Sequence, residues 1–177
     1  MVVHKIIRSV CVLVGITVVG FTIMAVLAVS DGYRFNPTSS APVGIWKITE
    51  KEPERLNVGE YVFICPPKHE VLSSLIKQGR MFRGLCDSGT VPFIKEVVAH
   101  SDGEFRVEDD GVYINNQLIP QTAPYPWENL IPAAASDIES GEFVAIQTMH
   151  VGSIDSRYFG PLAVADVIGV IEPVWTY

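Results

Sequence analysis

Three hydroxyl side chains, Thr38, Ser39 and Ser40, lie between two prolines in Asn36-Pro37-Thr38-Ser39-Ser40-Ala41-Pro42-Val43-Gly44-Ile45-Trp46. The prolines fix φ at their own positions and hold the residues before them extended. A stiff stretch of small residues lets a substrate backbone approach, so a serine here could act as a nucleophile. Taken alone, a proline-flanked serine is more simply part of a loop. A serine nucleophile needs a base, and Val91-Pro92-Phe93-Ile94-Lys95-Glu96-Val97-Val98-Ala99-His100 offers one. Strand alternation places Lys95 on one face with Phe93 and Val97. An apolar face disfavours the charged amine, and a neutral amine can take a hydroxyl proton. The plainer alternative is a lysine that snorkels at a strand edge. In Ser153-Ile154-Asp155-Ser156-Arg157-Tyr158-Phe159-Gly160, Asp155 and Arg157 are spaced to pair, with Ser153 within reach. The alternative there is a surface ion pair worth under ~1 kcal/mol.

These segments need elements to hold them. After residue 30 only Glu70 to Met81 has a helical rhythm, through Val71, Leu75 and Ile76, with Gly79 as a stop. The rest reads as short β runs: Gly44–Ile48, Glu60–Cys65, Phe93–His100, Phe105–Glu108, Val112–Ile114, Phe143–Gln147 and Val167–Val174. Asp109-Asp110-Gly111 and Asn115-Asn116 read as hairpin turns. Pro120 to Pro132, with four prolines and two aromatics, reads as an ordered irregular loop. The chain has 177 residues, 48% of them hydrophobic and 19% charged, so a disordered chain is excluded. The expectation is one mostly β domain on a short stalk.

The stalk is preceded by an apolar run. Val10 to Val29 holds twenty residues without a charge, enough to span a ~30 Å hydrocarbon core. His4, Lys5 and Arg8 precede it and Asp31 follows. That asymmetry predicts a cytoplasmic N-terminus at residues 1–9, a transmembrane anchor at 10–29 and an exported domain at 30–177. A cleavable signal peptide is the competing reading. Its apolar region is normally ~7–15 residues long, and Ala28 and Ser30 would supply its small residues. The exported part carries eleven basic against twenty acidic residues, which suits neither nucleic acid nor a close hold on anionic lipid.

Cys65 and Cys86 fall beyond the apolar run, while Cys11 lies within it. In an oxidising compartment a Cys65–Cys86 bridge would close a loop of about twenty residues and contribute roughly 3 kcal/mol. Two buried thiols are the alternative. His4, His69, His100 and His150 are scattered and no CxxC or HxxxH occurs, so neither a metal site nor a cofactor is expected.

In order and spacing, the three segments resemble the type I signal peptidase superfamily of Ser/Lys serine peptidases. They are more similar still to its TraF-type, conjugative-transfer branch. The resemblance rests on Thr38-Ser39-Ser40-Ala41-Pro42-Val43-Gly44, Cys65-Pro66-Pro67, Cys86 ahead of the lysine strand, and the box from Ser153 to Pro161. It implies a signal-peptidase-like fold of coiled antiparallel sheets behind one transmembrane helix. It assigns Ser40 as nucleophile and Lys95 as general base. Thr38 and the Ser40 N–H would be the oxyanion donors, Ser153 would orient the amine, and Asp155 with Arg157 would support it. Adjacent Ser39 competes with Ser40, but the spacing to Pro42 and Gly44 favours Ser40.

The same resemblance implies a cytoplasmic (inner) membrane location with the catalytic domain on the periplasmic side. The substrate would be a membrane-bound, pilin-like precursor bound as an extended strand, and the new ends of the product are in some cases joined into a ring. Other conjugative transfer proteins would be further partners. Housekeeping signal peptidases carry Met where this chain has Ala41, and a Gly-Asp-Asn stretch where it has Gln147 to Gly152. They commonly add a second membrane segment and an inserted domain. These departures favour the compact branch over the alternatives, a general type I signal peptidase or a non-catalytic component of the transfer apparatus.

Overall fold

The structure is a computed structural model that describes residues 2–100, 102–127 and 130–177, with side chains from residue 7 onward. The side chains of His4 and Lys5, and Glu128 and Asn129 of the Pro120–Pro132 stretch, lie outside the described residues. Two compact units are present, Met1–Arg34 and Phe35–Tyr177.

The first unit is helix α1 (Val2–Ser30). Its apolar residues occupy every face, so no side is marked to meet a core. The span Ile7–Ser30 has a mean hydropathy of 2.7, none of it is buried, and it is long enough to cross a membrane. The hydroxyls of Thr17 and Thr22 donate to the carbonyls of Leu13 at 3.0 Å and Val18 at 2.9 Å. Neither therefore presents an unpaired polar group to hydrocarbon. Gly32, at φ +95°, ends the helix in the left-handed conformation that glycine adopts without strain.

From residue 33 onward most of the regular structure is strand. The order is β1 (Tyr33–Asn36), β2 (Gly44–Lys51), β3 (Tyr61–Ile64), α2 (Glu70–Lys77), β4 (Phe93–His100), β5 (Gly103–Glu108), β6 (Gly111–Ile114) and β7 (Gln117–Ile119). There follow β8 (Ser136–Ile138), β9 (Glu142–Ile146), α3 (Ser156–Phe159), β10 (Leu162–Ala163) and β11 (Val167–Thr176). Seven strands form one sheet in the order β1-β2-β11-β3-β4-β9-β10, and four form a second, β7-β6-β5-β8. Pairing is antiparallel from β2 to β10 in the first and throughout the second. The mostly β, antiparallel fold expected from the short alternating runs is the fold observed.

Individual elements depart from expectation where local signals are weak. Strands β1, β7, β8 and β10 have four residues or fewer and no clear apolar alternation. Helix α2 stops at Lys77 because Gln78 caps it and Gly79 turns at φ +70°. Strand β11 runs on through Pro173 because there it pairs only with β2, so the missing proline N–H interrupts no second ladder. The Asn115-Asn116 turn is a primed hairpin, with φ of 50° and 62°.

Two features bear on the site. Gly44, at φ +145°, begins β2 directly after the serine loop, and a Cβ there would lie 2.1 Å from the Trp175 carbonyl oxygen. Glycine at this point lets the loop run into a tightly paired strand. A disulfide joins Cys65 to Cys86, with Cα atoms 5.4 Å apart, and encloses α2. Leu72 and Leu75 of α2 pack with Leu130, Ile154 and Tyr158, with Phe93 and Phe159 at the margin.

Changing both Cys65 and Cys86 to serine is expected to lower unfolding free energy by about 3 kcal/mol through loop-closure entropy. The check is the denaturant midpoint of the full-length protein in detergent. An unchanged midpoint would mean that apolar contacts alone hold the α2 loop.

Candidate active site

The serine loop is organised by a residue that sequence reasoning passed over. Asn36, at the end of β1, is buried, and its amide nitrogen donates to the carbonyls of Thr38 (2.9 Å), Ala41 (3.0 Å) and Pro42 (3.1 Å). Its amide oxygen accepts from the Thr38 N–H at 3.1 Å and the Thr38 hydroxyl at 2.8 Å. One side chain thus supplies the loop with partners that no regular ladder provides. The only available signal was an asparagine directly before the Pro37 turn. The Trp46 indole N–H donates to the Pro42 carbonyl at 3.0 Å, and its ring meets Tyr61 edge-on at 5.2 Å.

Ser40 Oγ lies 3.2 Å from Thr38 Oγ1. The single proton of Thr38 is committed to Asn36, so in this arrangement Ser40 is the donor to Thr38. Ser39 is exposed, and Ser40 is the serine drawn into this chain of bonds. The assignment of Thr38 as an oxyanion donor therefore requires its hydroxyl to turn away from Asn36.

Lys95 lies on β4, opposite Val62 of β3, and is 3% exposed. It does not snorkel at an edge. Its amine donates to the Ser153 hydroxyl, which is also buried. Burial pushes the Lys95 pKa down to about 8, with the Asp155 carboxylate pulling it up and Arg157 pushing it down further. At pH 7.5 about a quarter of such amines are neutral, against roughly one in a thousand for an ordinary lysine.

Ser153 is held by the pair behind it. Arg157 and Asp155 are both fully buried and meet through two parallel bonds, Nε to Oδ1 at 2.9 Å and Nη2 to Oδ2 at 2.8 Å. This is no surface ion pair. Arg157 also donates to the carbonyls of Ala123, Val151, His150 and Ser153. Asp155 caps α3 by accepting the Arg157 N–H at 3.2 Å, and accepts the Gln147 N–H at 3.1 Å. A buried charge pair persists only when its remaining donors and acceptors are satisfied, and here the loop carbonyls do that. Tyr158 extends the arrangement, its hydroxyl exchanging bonds of 2.8 Å with the Tyr125 backbone inside the proline-rich stretch.

The expected residues therefore fall into two bonded groups, Thr38–Ser40, held by the unforeseen Asn36, and Lys95–Ser153–Asp155–Arg157. Ala41, beside Ser40, and Ile94, beside Lys95, belong to one buried cluster with Trp46, Ile48 and Ile171. The Cys65–Cys86 bridge belongs to neither group and braces α2 behind Ile154. Among the described residues no cluster of three or more His, Cys, Asp or Glu could hold a metal ion.

Comparison with known proteins places this geometry in context. The model of the family described as signal peptidase, peptidase S26, matches residues 3–176. A plasmid transfer protein TraF of Escherichia coli is 31% identical over 173 residues, covering 92% of this chain and 94% of that protein. The conjugal transfer protein TraF of Agrobacterium fabrum is 30% identical, with 92% of each chain covered. A signal peptidase I structure from Enterococcus faecalis V583 aligns at 16% identity with a TM-score of 0.40, covering 66% of this chain and 97% of that one.

Two stability outcomes follow from the site. Lys95→Met is expected to stabilise the full-length protein at pH 7 by up to roughly 3 kcal/mol, since the folded state no longer holds a proton on a buried amine. The lysine pKa is lowered on folding, from 10.5 to about 8, so between those values the unfolded state binds more protons and wild-type stability rises with pH. The advantage of Lys95→Met is full below pH 8 and fades towards pH 10.5. Melts at pH 7 and pH 10 check this, and a variant less stable than wild type at pH 7 would contradict it. Asn36→Ala is expected to cost about 2–3 kcal/mol, because three carbonyls and the Thr38 hydroxyl lose their partner. Equal denaturant midpoints would show that the loop does not depend on Asn36.

Proposed function

The chain belongs to the signal peptidase S26 family, and from that membership we propose that it is a membrane-anchored Ser/Lys endopeptidase acting on a conjugative pilin precursor. The observation that carries the reading is the buried Lys95 amine, depressed towards neutrality and bonded to Ser153. A lysine kept dry at the cost of stability fits a base more readily than a scaffold. The conjugal-transfer names of relatives that match most of the chain support the setting. The apolar helix supports a single-pass anchor, with the exported domain on the periplasmic side of the cytoplasmic membrane.

In this mechanism neutral Lys95 takes the Ser40 hydroxyl proton as Oγ attacks the scissile carbonyl. The tetrahedral oxyanion accepts hydrogen bonds from the Ser40 N–H and from a Thr38 hydroxyl turned off Asn36. The Lys95 ammonium then protonates the leaving amine, and the C–N bond breaks to give the Ser40 acyl ester. Either water or the precursor's own amine attacks the ester. The first yields a linear product, and the second a ring containing one water fewer.

The deciding experiment is the mass of the pilin precursor co-expressed in membranes with wild type, Ser40→Ala and Lys95→Ala. Wild type is expected to remove a short terminal peptide and both variants to leave the precursor whole. Processing by Ser40→Ala at the wild-type rate would overturn the assignment and favour a non-catalytic transfer component. Cleavage of a panel of secretory precursors would favour a general signal peptidase instead. With purified wild type, kcat/KM should rise about tenfold per pH unit and level off near the Lys95 pKa of about 8.

A further inference from the structure

Gln147 is completely buried, and neither the oxygen nor the nitrogen of its side-chain amide has a hydrogen-bond partner. An unpaired primary amide in a dry interior is costly, and a methionine of similar length would avoid that cost. Its position is informative. Strands β4 and β9 pair with Glu96 opposite Ile146 and Val97 opposite Ala145. Gln147 follows directly on the last residue of β9, and continuing this register by one step would set it opposite Lys95. Val97 and Ala145 share one buried cluster, so by alternation Lys95 and Gln147 share that face. Cβ atoms of such neighbours lie about 4.5–5.5 Å apart, well within the combined reach of the two side chains. The Gln147 N–H is tied to Asp155 Oδ2 at 3.1 Å. Gln147 and Ser153 therefore stand on one loop whose ends the same carboxylate joins.

We propose that Gln147 is a positioning residue for the Lys95 amine, its amide oxygen accepting a second N–H of that amine in the reacting complex. The inference rests on the Ser40–Lys95 reading above. A neutral amine has two N–H bonds and one lone pair. Ser153 accepts one N–H. With Gln147 accepting the other, rotation about Cε–Nζ stops and the lone pair is left for the Ser40 hydroxyl. With Ser153 alone the amine still turns, and the lone pair is aimed only part of the time. The charged groups acting on the amine are Asp155 and Arg157, from the cap and first turn of α3. Its partner on β3, Val62, is apolar.

The test compares Gln147→Met and Gln147→Glu with wild type and Ser40→Ala, all as full-length protein in detergent. Gln147→Met is expected to lose roughly 10- to 100-fold in kcat, the cost of a misaimed group. Its KM stays within about twofold and its thermal midpoint is equal or higher. Gln147→Glu restores an acceptor but adds a charge that favours the ammonium. Its plateau rate recovers, and the rising limb of its pH profile moves up by about one unit. A Gln147→Met enzyme with wild-type kcat and pH profile overturns the proposal. So does one whose loss of rate is matched by a falling midpoint, which a merely structural glutamine would produce.

A second readout needs no cleavage. The rise in thermal midpoint from Lys95→Met at pH 7 should be smaller in the Gln147→Glu background than in wild type. Absence of that coupling overturns the Gln147 contact. Coupling that persists while Ser40→Ala still cleaves overturns the dyad alone.

Discussion

Everything chemical in this molecule rests on one buried ion pair. Asp155 and Arg157 meet through two parallel bonds without access to water, and the guanidinium spends its remaining donors on backbone carbonyls from 123 to 153. Such a pair contributes little net stability compared with a well-packed apolar pair. What it provides is position. It closes the loop from Gln147 to Asp155, starts α3, and fixes the backbone of Ser153, whose hydroxyl receives the Lys95 amine. Remove either charge and the other is stranded, together with carbonyls it satisfied. The loop has no regular ladder with which to replace them.

Around that pair the sheet creates the dry environment that makes a lysine useful. Lys95 sits between β3 and β9 in the middle of the larger sheet. Its neighbours along β4 on that face, Phe93 and Val97, are apolar, and the Phe93 ring lies 5.3 Å from its amine. Helix α2, braced by the Cys65–Cys86 bridge, packs Leu72 and Leu75 with Ile154, the residue after Ser153, and against Phe93. The opposed pulls of Asp155 and Arg157 leave desolvation as the dominant influence on its protonation.

The serine side obeys a different constraint. A loop of small residues flanked by prolines has few N–H groups and many carbonyls to satisfy. Asn36 meets three of those carbonyls with one amide group. The same side chain holds the Thr38 hydroxyl in its resting direction. Under the proposed mechanism, loop rigidity and oxyanion donation draw on this one hydrogen, which the reaction would have to move. Gly44 completes the loop, since any side chain there would strike the Trp175 carbonyl.

The local sequence already contained the parts list. The apolar run became α1 because length and composition alone decide whether a helix can cross a membrane. The alternating runs became the long strands, and the Asn115-Asn116 turn became a hairpin, because period-two patterning and left-handed tolerance are properties of a few adjacent residues. The types and order of Ser40, Lys95, Ser153, Asp155 and Arg157 were legible as a possible reaction. Their environments were not. Whether Lys95 is wet or dry depends on Ser153, 58 positions away in sequence, and whether Asp155–Arg157 is a surface pair or a buried one depends on carbonyls as far as Ala123, 34 positions away. Gln147 looked like an ordinary polar residue for the same reason, and Asn36 did although its partners, Thr38, Ala41 and Pro42, are local, because only the folded loop turns their carbonyls onto its amide. A side chain's hydrogen-bond partners and its solvation are set by what the fold brings beside it, and only the tertiary structure decides that.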